Sequence, residues 1–321
     1  MTAIAIDLGG TRIKIGILKN SEFIATSKLE ALPNETIEAN LDTITKEART
    51  LLAQHGIAER ELKGIGLSFP GIVDSRISRV LSKYVKYKNA SGFDFEEWVR
   101  REWNLPVALE NDARAALLGE WVKGAGRGVE NIVLLTLGTG VGSAVLLEGK
   151  LLKGTHFLAG NLAGHMSVKV DGNPCNCGYF GCLETEASTW VLPEKARKHP
   201  LFAKSTLFKA SNIEFSNLFE EADKGDKVAR DVVEDCLKAW GVGVVNMVHA
   251  YDPELIIIGG GIMQRKEIIL PYLQNMVDQY AWAPAGSVKI VSAEQVEYAG
   301  LLGMEYLISR LNHKNIEKIK L

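Results

Sequence analysis

Residues 3–18 read AIAIDLGGTRIKIGIL, and residues 129–149 read VENIVLLTLGTGVGSAVLLEG. Each is an apolar strand, a glycine- and threonine-containing turn, and a second apolar strand. The first turn is Gly9-Gly10-Thr11 and the second is Gly138-Thr139-Gly140. Glycine lets a backbone turn tightly, and the successive N–H groups of such a turn can wrap around phosphate oxygens. Asp7 closes the first strand, where a carboxylate could hold a phosphate-bound Mg2+ directly or through water. Alone, either segment is equally an ordinary β-hairpin. Together they are an internal repeat of one supersecondary unit. The repeat predicts an α/β chain of two similar domains, each offering one phosphate-binding hairpin.

The pattern between and beyond the hairpins is also α/β. EFIATSKL is a third strand, and a helix reads from near Asn34 to residue 55, with Gly56 as its C-cap. GIGLSFPGIVD (64–74) is a buried strand ending at Pro70-Gly71. A helix over 94–103 and a short strand over 106–110 follow. That strand runs into Asn111-Asp112 and the helix ALLGEW. Asn and Asp are favoured N-caps, and capping is the reading local sequence prefers. The functional reading makes Asp112 a base and Asn111 the group that orients a hydroxyl. Further helices read over 189–197, 214–222 and 226–251. DPELIIIGGGIM (252–263) is a buried strand ending in Gly259-Gly260-Gly261, which permits either close approach of a ligand or a loose turn. A helix over 265–279, the strand SVKIVSA and a helix over 298–311 complete the fold, with a polar tail expected to fray. The domains expected are 1–122 and 123–321. No low-complexity linker divides them, so a short hinge is expected.

Three of the four cysteines fall together in AGNLAGHMSVKVDGNPCNCGYFGCLETEAS (159–188). His165, Cys175, Cys177 and Cys182 read His-x9-Cys-x-Cys-x4-Cys. Three thiolates and one imidazole are a standard tetrahedral zinc set, and a disulfide has little use in a reduced chain. Four protein ligands leave no open position, so the zinc is expected to be structural, in a loop spanning 165–184. Cys236 lies in a helical pattern and reads as a small core residue.

With 37 basic and 39 acidic residues the net charge is −2, which does not suggest nucleic acid or an anionic membrane as partner. No apolar run is long enough to span a bilayer. The N-terminus lacks the marks of a signal peptide, so a cytoplasmic location is expected. No Gly-x4-Gly-Lys-Ser/Thr is present, which excludes a P-loop kinase.

DLGGT (7–11), Pro70-Gly71, ENDARAALLGE (110–120), LGTGVGS (137–143), the histidine-and-cysteine stretch and IIIGGG (256–261) occur in this order. Together, over essentially the whole chain, they resemble the ROK family of sugar kinases and related repressors, in the actin-like ATPase superfamily. The resemblance implies two actin-like (ribonuclease H-like) domains around a deep cleft. It implies ATP with Mg2+ against Asp7, Gly9, Gly10, Thr11 and Arg12 and against Gly138, Thr139 and Gly140, with the adenosine near Gly259, Gly260 and Gly261. It implies a sugar contacted by Gly71, Asn111, Asp112, Asn161, His165 and Glu184, with Asp112 as catalytic base. His165 would both bind zinc and approach the sugar, and the zinc would shape the loop that presents Glu184. Homodimers or tetramers are also implied.

One departure stands out. Members usually carry Ala-Gly-Glu with the Glu three residues before the zinc histidine. Here Asn161 takes that place, with one extra residue before His165. An amide donates as well as accepts, so the preferred sugar is expected to differ from glucose or N-acetylmannosamine. The family's repressors carry a DNA-binding domain before the first hairpin, whereas here that hairpin starts at residue 7. A silent sugar sensor on the same fold is the remaining alternative to a kinase. Asp112 and both hairpins speak for the kinase.

Overall fold

The computed structural model describes residues 1–32, 35–83 and 86–319, with side chains through Leu311. The chain forms two compact units. Unit 1 is built from β1 (Thr2–Leu8), β2 (Arg12–Lys19), β3 (Glu22–Glu30), α1 (Ile37–Gln54), β4 (Leu62–Phe69), β5 (Val73–Asp74), β6 (Arg79–Val80), α2 (Phe95–Trp103), β7 (Val107–Asn111) and α3 (Asp112–Lys123). Unit 2 holds β8 (Ile132–Leu137), β9 (Val141–Leu147), β10 (Lys150–Leu151), α4 (Leu183–Ala187), α5 (Leu192–Lys198), α6 (Phe215–Asp223), α7 (Lys227–Tyr251), β11 (Leu255–Gly259), α8 (Lys266–Tyr280) and β12 (Lys289–Ser292). The last helix, α9 (Ala299–Ile319), belongs to unit 1.

The repeat read from the two hairpins extends to whole sheets. Unit 1 has the strand order β3-β2-β1-β4-β7 and unit 2 the order β10-β9-β8-β11-β12. In each, the hairpin strands pair antiparallel and the outer two strands run parallel to the first. The parallel pairings place the C-terminal ends of β1, β4 and β7 together, and likewise those of β8 and β11. In open α/β sheets, ligands gather at these ends.

In unit 1, α1 buries Ile37, Leu41, Ile44, Ala48, Leu51 and Leu52, one stripe at helical spacing, against one face of the sheet. Its end is closed by Gly56 at φ +66°, with Ile57 N donating to Leu52 O and Gly56 N to Ala53 O. The helix begins at Ile37, with Thr36 as N-cap; Asn34, where the sequence placed its start, lies outside the described residues. The other face is covered by α9, whose Leu301, Met304 and Ile308 pack on Ala3, Ala5 and Leu18. Helices α3 and α9 cross at Gly119 and Gly303, where a Cβ would come within 1.9 Å of the Ala299 and Ala115 carbonyls. Because α9 completes this unit, Glu294–Leu321 sit with the N-terminal domain rather than in a 123–321 domain, as does the strap Lys153–Ala159.

Unit 2 packs α7 through Val233, Leu237, Trp240, Val244 and Met247 in one apolar cluster with Ile256 and Ile258 of β11. Strand β4 stops at Phe69, at the expected Pro70-Gly71 turn, because proline lacks the N–H a ladder needs; the chain resumes as the short β5–β6 pair. Likewise β11 covers only Leu255–Gly259: Asp252, at φ 44°, ends α7, and Gly260, at φ +100°, ends the strand. The final helix continues through Ile319, past residue 311. No described helix is long and apolar enough to cross a membrane.

Candidate active site

In unit 1 the β1–β2 register sets Lys14 opposite Asp7, and the β1–β4 register sets Ser68 beside it. Ser68 Oγ donates to Asp7 Oδ1 at 2.5 Å, and Lys14 Nζ lies 3.2 Å from Oδ2. The Tyr87 hydroxyl donates to the Gly9 carbonyl at 2.6 Å and steadies the turn from outside the sheet. Gly9 and Gly10 are half-buried, and Thr11 and Arg12 are exposed.

At the junction of β7 and α3 the two readings of Asn111-Asp112 divide between the residues. Asn111 is the N-cap: its Oδ1 accepts from Arg114 N at 3.1 Å. Its Nδ2 donates to Gly71 O at 3.0 Å and to Asp112 Oδ1 at 2.8 Å. This joins the Pro70-Gly71 turn to the junction. Asp112 Oδ1 also accepts from Ala113 N at 2.8 Å. Desolvation by the surrounding protein, and then the charge of Asp7, push the Asp112 carboxyl up to about 6, against the hydrogen bonds from Ala113 and Asn111. A carboxylate so tuned is mostly ionised at neutral pH, yet basic enough to take a proton in a transition state.

In unit 2, Thr189 donates to the Gly138 carbonyl through both its N–H and its hydroxyl, each at 2.9 Å. Glu184, in the first turn of α4, accepts from Val141 N at 2.9 Å. A Cβ on Gly140 would come within 2.6 Å of the same Glu184 Oε2, so only glycine lets the carboxylate rest there. Ser143, fully buried, donates to Gly160 O at 3.0 Å and accepts from Ala163 N at 2.9 Å, which pins the turn bearing the buried Asn161.

A cavity of about 470 Å³ opens at this hairpin, lined by Gly138, Thr139, Thr189, Phe215, Phe219, Gly261, Ile262 and Arg265 among others. It joins the second hairpin to the glycine triplet, but only Gly261 of the triplet lines it. Gly259 pairs with Thr136 in the sheet, and Gly260 lies where a Cβ would strike Leu137 O at 2.0 Å. Arg265 lies 5.1 Å over the Phe219 ring and pairs with Asp223 and Glu267. Sequence reading missed Thr189, Phe215, Phe219 and Arg265, which come from three separate elements without a local motif. Lys14 and Ser68 were within reach through the register of the strands.

His165, Cys175, Cys177 and Cys182 do converge. One ligand atom from each lies within 4.8 Å of all the others. Cys177 Sγ and Cys182 Sγ are 3.7 Å apart, and Cys175 Sγ and His165 Nδ1 are 3.6 Å apart. With Zn–S bonds of about 2.3 Å, a tetrahedron has edges of about 3.75 Å, so these spacings and this donor set fit zinc. The segment is knitted by Val168 N to Gly181 O and Leu183 N to Met166 O, so the cluster leads directly into α4 and Glu184.

The ROK family profile matches residues 3–310. The chain belongs to the ROK family. This ROK protein is similar to a glucokinase from Thermotoga maritima, 33% identical over 313 residues that cover 95% of this chain and 96% of the relative. Its fold is similar to that of the ROK hexokinase from Thermus thermophilus, with TM-score 0.80 and 28% identity over 98% of this chain and all of the other. It is also similar to a ROK family glucokinase from Streptomyces griseus solved with glucose and AMPPNP, with TM-score 0.76 and 28% identity over 96% and 99% of the two chains.

Proposed function

We propose that this protein transfers the γ-phosphoryl group of ATP to a hydroxyl of a hexose or N-acetylhexosamine, with Asp112 as the general base. The chain is an ATP-dependent sugar kinase of the ROK family, as its likeness over nearly full length to a glucokinase and to the nucleotide- and glucose-bound ROK structure supports. The observation that carries the assignment of the base is the Asp112 carboxyl, held by Asn111 at the β7–α3 junction and raised to about 6.

Phosphoryl transfer asks a protein chiefly to position its reactants and to balance charge. The Gly9–Thr11 and Gly138–Gly140 turns would offer backbone donors to the phosphates, and Arg12 and Lys14 would offer cations. The cavity beside Gly138 and Gly261 would take the adenosine. Asn111, Gly71, Asn161, His165 and Glu184 would orient the sugar, and Asp112 would accept the proton of the attacking hydroxyl. Asp7 is the candidate to hold Mg2+, which supplies charge neutralisation at the phosphates. The cysteine-histidine set would hold a structural zinc that fixes the loop ahead of Glu184.

The test is ADP release from MgATP across glucose, mannose, fructose, allose and their N-acetylated relatives, with a blank and with Asp112→Ala in parallel. Sugar-dependent release, lost in the variant, supports the reading. Direct sugar binding without turnover anywhere in the panel would instead identify a sensor.

A further inference from the structure

The chain leaves unit 2 after Leu152, contributes Lys153–Ala159 to unit 1, and returns at Gly160. This strap is fastened from beneath the turn that carries Asp112. Glu110, the residue before Asn111, is fully buried and accepts from Asn111 N through Oε1 at 3.0 Å. Its Oε2 lies 2.6 Å from Lys153 Nζ, which also donates to Ser75 Oγ at 2.6 Å. Arg114, fully buried in the first turn of α3, lies 3.7 Å from Glu110 Oε1. Its Nη2 donates to the carbonyls of Phe157 and Ala159 at 3.0 and 2.9 Å. At the surface end, exposed Arg76 covers the Phe157 ring at 4.5 Å and is paired with Asp74.

Two features set this cluster apart from ordinary core packing. Buried ion groups are weak stabilisers, because desolvation offsets much of their attraction and apolar packing of equal volume often does as well. Desolvation indeed holds Arg114 below its ordinary value. What a guanidinium fork does, and apolar packing cannot, is fix directions. Here it orients two strap carbonyls while its carboxylate partner orients the Asn111 amide. Further, Phe157 sits at φ +61°, a region costly for an aromatic residue and kept only where the surroundings over-determine it.

We propose that Arg114, with Glu110 and Lys153, is a positioning residue for sugar phosphorylation: it locks the 153–159 strap to the Asn111–Asp112 turn. Ala159 is followed by Gly160 and Asn161, so the locked carbonyl stands two residues from a proposed sugar contact. The latch thereby sets how the acceptor hydroxyl meets the Asp112 carboxylate. This rests on Asp112 being the base.

The experiment uses Arg114→Met and Arg76→Ala of the full chain, with Asp112→Asn beside them. Thermal melts and ATP titration accompany kcat, sugar KM, and the ratio of sugar phosphate to ADP formed. A small misplacement of reacting groups costs up to about 100-fold. Arg114→Met is expected to lose roughly 10- to 100-fold in kcat for the sugar, with ATP affinity within about two-fold and a lower sugar phosphate to ADP ratio. Arg76→Ala, which removes only the exposed end, should move the same quantities by a smaller factor. Should Arg114→Met fail to fold, Arg76→Ala decides. Wild-type kcat and coupling in the folded variants, beside an inactive Asp112→Asn, would overturn the latch alone. A kcat loss that merely tracks the unfolded fraction, with sugar KM and coupling unchanged, would also overturn it. An Asp112→Asn enzyme that still phosphorylates sugar would overturn the base, and the latch with it.

Discussion

The amide nitrogen of Asn111 donates to the carboxylate of Asp112 at 2.8 Å while its oxygen caps α3. One side chain thus starts the helix and aims its neighbour.

Asp112→Asn should lower kcat by about 100- to 10,000-fold, the range of general-base catalysis. Its effect on stability should have the opposite sign. The native carboxyl binds its proton more tightly than the unfolded chain does, since its value rises from 3.8 to about 6. The ionised group therefore costs stability, fully above about pH 6 and progressively less as the pH falls toward 3.8. The variant should melt higher than wild type at pH 8, by on the order of 1 kcal/mol, and the gain should vanish near pH 4. A lower melting temperature at pH 8 would refute the burial argument.

kcat/KM for the sugar should lose about tenfold per pH unit on the acid side of about 6 and level off above it, because this ratio follows the ionisation of the free enzyme. Because the charge of Asp7 helps to raise Asp112, Asp7→Asn should move that acid limb to lower pH, whatever it does to the plateau. Full pH–rate profiles of both proteins test this, and an unmoved limb would remove Asp7 as a cause.

Native protein should carry one zinc per chain by elemental analysis. Removing it with a chelator, or replacing buried Cys182 by Ser, should lower the melting temperature and weaken sugar binding more than ATP binding, because the cluster leads into Glu184. Stoichiometric absence of metal from active protein would be decisive against the site.

Gly140→Ala should raise sugar KM at least about tenfold, since a carbon 2.6 Å from Glu184 Oε2 forces that carboxylate away. The fold should survive, and melting together with steady-state kinetics would show it. A Glu184→Gln control should raise sugar KM in the same direction; an unchanged sugar KM in Gly140→Ala would detach Glu184 from the sugar.

Much of this was legible because it was local. The hairpins, the apolar stripe of α1 and the cysteine spacing each announce themselves within a short window, and the repeated hairpin pointed to two similar α/β units, whose shared strand order only the structure shows. What escaped notice depends on distant segments. Arg114 reads as one more polar residue in ENDARAALLGE, and only the folded strap shows what it holds. Phe215, Phe219 and Arg265 meet Gly138 across sequence gaps that no periodicity encodes. The β5–β6 and β10 strands are too short for alternation to register. Helix α9 reads correctly as a helix, but nothing in its own sequence says that it returns to the first sheet.

That return orders the birth of the molecule. The ribosome finishes the first sheet early, yet the face formed by Ala3, Ala5 and Leu18 receives Leu301, Met304 and Ile308 only after all of Val129–Ala293 has been made. At about 5–20 residues per second, this leaves an uncovered apolar face for roughly ten to thirty seconds. Unit 2, contiguous apart from the strap, has all its residues once Ala293 is made, before any of α9 exists. A released chain truncated before residue 299 should therefore hold a finished C-terminal unit and an N-terminal one that still draws chaperones.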